Sequence, residues 1–64
     1  MALKQKRLEA GLSQRALAEK SGVTIRAIQS YEQGWRDLRK ASVGTVLALA
    51  KALDCTAEDI LEEV

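Results

Sequence analysis

Apolar residues recur three and four places apart along nearly the whole chain. No proline breaks the pattern, and no stretch alternates apolar with polar residues as a strand does. That periodicity leaves helices as the regular structure, and the residues between them mark where each starts and stops. Residues 3–10 read as a first helix, closed by Gly11. Ser13 is placed to cap a second over residues 14–20, with Leu17 inward. Ser21-Gly22-Val23 is a break, and Gly22 suits a tight or left-handed turn. Thr24 caps a third helix, Ile25–Gln33, which Gly34 ends.

A polar connection, WRDLRKA, covers residues 35–41. Ser42 caps a fourth helix, in which Val43, Val46, Leu47, Ala50 and Leu53 form the inward stripe. Gly44 weakens its first turn by up to ~1 kcal/mol relative to alanine. Asp54 stands where a terminating glycine is expected, and aspartate tolerates the left-handed conformation less well. Thr56 and Asp59 resemble a capping box with Asp in place of Glu or Gln. They open a last helix with Ala57, Ile60, Leu61 and Val64 on its apolar side. The expected fold class is therefore all-α: one compact five-helix domain over residues 1–64, without repeat or linker.

Composition narrows the function more than the fold. A chain of 64 residues buries only about 60% of its unfolded surface, so a catalytic cleft is hard to build. It has no histidine, and so lacks the commonest general base and the usual partner of a serine or cysteine nucleophile. No loop carries acidic ligands at metal-binding spacing. Neither an enzyme, a metal site nor a cofactor is expected. Cys55 is the sole cysteine, which excludes an internal disulfide and reads as a small buried apolar residue. No apolar run approaches the ~20 residues that span a bilayer, and MALKQKRLEA lacks the apolar core of a signal peptide, so a cytoplasmic location is expected.

The net charge of +1 hides an asymmetry. Residues 1–40 carry nine basic side chains against four acidic ones, whereas residues 41–64 carry Lys51 against five acids. Such a division suggests a basic face for a polyanion.

The third helix sharpens that suggestion. With Ile28 at 0° and steps of about 100° per residue, Tyr31 falls near 300°, so the apolar face centres near 330°. On the same wheel Gln29 falls at about 100°, Gln33 at about 140°, Arg26 at about 160° and Ser30 at about 200°, opposite the core. Ile25 lies on the flank near the helix start. The outer face thus holds long hydrogen-bonding side chains and no acid. Arginine matches the O6 and N7 acceptors of guanine, glutamine the donor–acceptor pair of adenine, and an exposed isoleucine the thymine methyl.

Arg7, Gly11-Leu12-Ser13-Gln14, Leu17-Ala18, Gly22-Val23-Thr24, Ile28, Tyr31-Glu32, Gly34 and Leu49-Ala50-Lys51-Ala52-Leu53, in this order and spacing, resemble the lambda-repressor-like helix-turn-helix class, the Cro/repressor-type DNA-binding domain. The resemblance covers essentially the whole chain. It implies five helices, a helix-turn-helix over about residues 14–33, and a third helix in the major groove. Ile25, Arg26 and Ser30 fall at base-reading positions of the family, with Gln29 beside them. Gln14 falls at a phosphate-binding position. Arg36, Arg39 and Lys40 fall in the loop flanking the sugar-phosphate backbone, though this loop is longer than in compact members of the class. Ser13 and Thr24 are helix caps whose hydroxyls are also placed for phosphate. Arg7 and Glu32 fall where the family has a structural ion pair, which orients rather than reads. Lys6 occupies a position that usually faces inward, with its ammonium kept in water. Trp35 is expected to pack over the end of the third helix, a dimer or DNA interface being the alternative.

The function implied is a transcriptional regulator, a repressor, that binds double-stranded DNA as a homodimer on a two-fold symmetric operator in a bacterium, phage or mobile element. Two alternatives stand beside it: an antitoxin that also binds a toxin protein, and a helical protein-interaction module without DNA binding.

Overall fold

The computed structural model describes residues 2–61, and its described residues are helical without strands. Five α-helices follow in order: α1 Ala2–Glu9, α2 Gln14–Ser21, α3 Ile25–Gln33, α4 Val43–Ala52 and α5 Ala57–Ile60. A single 3-10 turn, Leu38–Lys40, lies between α3 and α4. The first helix starts and ends one residue earlier than the sequence suggests, and the second runs one residue further.

Side-chain oxygens set the helix starts. Ser13 Oγ accepts the Ala16 N–H at 3.0 Å, Thr24 Oγ1 that of Ala27 at 3.2 Å, and Ser42 Oγ that of Thr45 at 3.2 Å. Thr56 and Asp59 form a reciprocal capping box at 3.2 and 3.0 Å, so aspartate serves where glutamate is usual. Left-handed residues follow the ends of α1 to α4. Gly34 has φ 84°, and the next N–H, of Trp35, returns to the Ser30 carbonyl at 2.9 Å. Asp54 closes α4 in the same way, at φ 56°, with the Cys55 N–H returning to Ala50 at 3.0 Å. An L-residue is strained there, which makes Asp54 the one non-glycine in this conformation among the described residues.

The core is Leu3, Leu17, Ile28, Tyr31, Leu38, Val46, Leu49, Ala50, Ala52, Leu53 and Ile60. It forms where α2 meets α3 and α4, and where α1 closes over α3 and α5. Cys55 is half-buried against it, and burial pushes its thiol pKa up. Lys6 is partly exposed and reaches Glu9 at 3.7 Å.

Three expectations require correction. On α4, Val43 is 72% exposed and Leu47 is 47% exposed, while Leu49 is fully buried. The helix is apolar on most of its circumference, so periodicity alone did not select the face that α2 and α5 cover. The connection 35–41 is not purely polar, because its one leucine, Leu38, drops into the core at 1% exposure. Asp37 makes that possible by accepting the Arg39 N–H at 3.0 Å and starting the 3-10 turn. Trp35 does not pack over α3; it is 76% exposed. Leu61 is half-buried at the end of α5, and Val64 lies outside the described residues.

Candidate nucleic-acid interface

Helices α2 and α3 are joined by Gly22-Val23-Thr24, a turn short enough to hold them in contact. The two sides of α3 are sharply different. Ile28 and Tyr31 are buried, whereas Ile25, Arg26, Gln29 and Gln33 are exposed. Ser30 is half-buried, and its hydroxyl donates to the Arg26 carbonyl at 3.0 Å. That hydrogen is spent inside the helix, so Ser30 offers a ligand only an acceptor. The outward surface of α3 is therefore carried by Ile25, Arg26, Gln29 and Gln33.

The single acid of α3, Glu32, is turned inward. Arg7 of α1 grips it through Nε at 2.7 Å and Nη2 at 3.0 Å, and a third arginine bond runs from Nη1 to the Leu12 carbonyl at 2.9 Å. Both side chains are nearly closed to solvent. Burial works to raise the Glu32 pKa, but the hydrogen bonds from Arg7 and Gln14 and the charge of Arg7 outweigh it and hold the carboxyl below its ordinary value. Glu32 is thus ionised at neutral pH and can only accept hydrogen bonds.

This charge fixes the orientation of two glutamines. Gln14, the first residue of α2, donates its Nε2 to Glu32 at 2.9 Å. Its oxygen must then point away, and it accepts from Gln29 Nε2 at 3.3 Å. Gln29 keeps one amide hydrogen and its own oxygen for a ligand, which is the donor–acceptor pair that matches adenine. Gln14 keeps one amide hydrogen. The family resemblance paired Arg7 with Glu32 and singled out Gln14, and the helical period singled out Gln29, but neither gave the Glu32–Gln14–Gln29 link, which joins residues 15 and 18 positions apart.

Around this face stand the caps and the connection. The Ser13 and Thr24 oxygens accept backbone N–H groups, which leaves each hydroxyl hydrogen to donate. Both lie at helix N-termini, where the helix dipole favours an anion. Arg36 is exposed, with its guanidinium 5.3 Å from the centre of the Tyr31 ring, so the core tyrosine braces it beside the end of α3. Lys40 is exposed. Arg39 differs from both, because Asp37 chelates its guanidinium at 3.2 and 3.1 Å. Arg39 also pulls the Asp37 carboxyl below its ordinary pKa.

Among known families, one described as helix-turn-helix matches residues 3–60. Comparison with curated proteins and with solved structures gave no match.

Proposed function

We propose, on the premise that the chain belongs to the helix-turn-helix family of Cro/repressor-type DNA-binding domains, that it regulates transcription as a sequence-specific repressor, a homodimer that occupies a two-fold symmetric operator. The observation that carries this reading is the outer face of α3. It presents Arg26, Gln29, Gln33 and Ile25 with no acid, while the one acid of the helix is turned inward to hold Gln14 and Gln29. An α-helix with its side chains is about 10–12 Å across, which fits a major groove about 12 Å wide.

In this arrangement Arg26, near the start of α3, reads a guanine and Gln29 an adenine. Ile25 packs on a thymine methyl, and Ser30 accepts from a base amine. Phosphates are held by the hydroxyls of Ser13 and Thr24, by the remaining amide hydrogen of Gln14, and by Arg36 and Lys40. Arg39 stays with Asp37.

A salt titration of duplex affinity tests the reading. With two to three phosphates neutralised per copy, a dimer should show a log–log slope of about −4 to −5. A slope near zero, or no duplex binding at low salt, would refute it.

A further inference from the structure

A glutamine reads adenine only if its amide is held one way round. The two ends of the group are nearly equal in size, but one donates and the other accepts. Turned over, Gln29 would offer the groove two hydrogens in place of a hydrogen and an oxygen. In this structure the choice is made two side chains away. Resting on the DNA-binding reading above, we propose that Glu32 is a positioning residue for base choice: through Gln14 it sets which end of the Gln29 amide is free, and so makes adenine the base that Gln29 prefers.

The chain of bonds runs in one direction. A carboxylate only accepts, and the Glu32 side chain is 4% exposed, so water does not offer Gln14 another partner there. Glu32 Oε1 takes the Gln14 Nε2 at 2.9 Å, which leaves Gln14 Oε1 to accept from Gln29 Nε2 at 3.3 Å. The far end is fixed as well. Arg7 holds the carboxylate from α1, by Nε to Oε2 at 2.7 Å and by Nη2 to Oε1 at 3.0 Å. Glu32 itself faces inward and touches no base, so its influence on reading passes only through the two glutamines.

Glu32→Gln should reverse the chain. Arg7 Nε is the closest donor, so the one oxygen of the new amide stays at the place of Oε2 and its nitrogen takes that of Oε1. Gln14 then faces a donor, turns its oxygen inward and its nitrogen outward, and Gln29 accepts from it instead of donating. Both amide hydrogens of Gln29 are left for the base. Adenine needs an acceptor for its N6 amine, whereas guanine presents two acceptors, O6 and N7, so the preference moves to guanine. A residue that only supported the fold would lower affinity for both bases alike and leave their ratio unchanged.

The test uses the full chain. Selection from a random duplex pool gives the wild-type site, and Gln29→Ala marks the Gln29 column as the one it flattens. Affinities are then compared, at fixed salt, for duplexes that differ only by adenine or guanine in that column. Wild type should favour adenine by about 5- to 150-fold, and Glu32→Gln should favour guanine. Gln14→Leu keeps both Arg7–Glu32 bonds but cuts the link, so the two bases should come close to equal, and Glu32→Gln added to it should change the ratio no further. The Arg26 column should keep its base throughout. Circular dichroism checks that each variant folds. Glu32→Gln leaves the charge of Arg7 unpaired at 9% side-chain exposure, so Arg7→Met with Glu32→Gln is the second arm. With no arginine to claim the oxygen, the amide takes either orientation, and the ratio should again fall close to one. An adenine preference that survives in the folded Glu32→Gln proteins, single or double, would overturn the proposal, as would a shift to guanine that persists without Gln14. A Gln29→Ala motif identical to that of wild type would also overturn it, and leave the DNA reading standing on Arg26. A pool from which wild type enriches no duplex would sink that reading itself, and the proposal with it.

Discussion

Arg7→Met removes the partner of a carboxylate that has almost no water around it. The Arg7 side chain is 9% exposed and that of Glu32 4%. Arg7 makes three hydrogen bonds, two to Glu32 and one to the Leu12 carbonyl, and methionine replaces none of them. Breaking a buried pair from one side costs about 3–5 kcal/mol. The lower end applies here, because Gln14 still donates to Glu32. A domain of 64 residues has a total stability of about 3–10 kcal/mol, so the loss is a large share of the whole. At about 4–8 °C per kcal/mol for a domain of this size, the thermal midpoint should fall by about 12–24 °C.

The pH dependence separates a stranded charge from lost packing. In wild type the Glu32 pKa is depressed. Its contribution to stability is complete above the ordinary glutamate value of about 4.3 and is lost as pH falls through the lower, folded value. In Arg7→Met, burial, already the largest influence on Glu32, is opposed mainly by Gln14, and the pKa moves above the ordinary value. The variant therefore gains stability as pH falls from neutral towards about 4.5, while wild type does not. The gap between them, measured by urea melts followed by circular dichroism, should narrow on acidification. Adding Glu32→Gln, which keeps an acceptor for Gln14 and removes the charge, should return more than half of the loss. A midpoint within a few degrees of wild type, or a gap independent of pH, would refute the reasoning.

Leu38→Ala should cost about 2–5 kcal/mol in the same melts, because Leu38 is 1% exposed in the core; a loss as small as that of a surface change would mean that the connection does not anchor there. Asp54→Gly should raise stability by about 0.5–1 kcal/mol by removing the strain at φ 56°, offset in part by the freer unfolded chain, and a destabilised variant would show that the aspartate makes a compensating bond.

The helices and most of their ends were legible because capping is local. Ser13, Thr24, Ser42 and Thr56 act within three residues of themselves, and Asp54 takes the left-handed place that a glycine would. The errors lie where the outcome depends on what packs from elsewhere. The apolar circumference of α4 fits two stripes, and only α2 and α5 decide that Leu49 faces in and Leu47 out. Leu38 is one apolar residue among charges, too little for a periodicity, and Trp35 is large and apolar yet left outside. At the interface the split of α3 into two faces follows from its own period. The use of Glu32 as the anchor for Gln14 and Gln29 does not, since it needs α1, α2 and α3 brought together.

The central claim is that the outer face of α3 reads bases, and selection of duplexes from a random pool tests it most directly. Wild type should enrich a two-fold symmetric motif with half-sites one helical turn apart. Arg26→Ala, selected at the same salt, should give that motif with one column flattened in each half-site, a bidentate arginine–guanine contact being worth about 1–3 kcal/mol of discrimination. Lys40→Ala should give the unflattened motif at lower yield, since a phosphate contact carries no sequence. An Arg26→Ala motif identical to that of wild type, or a column lost with Lys40 instead, would contradict the placement of α3 in the groove.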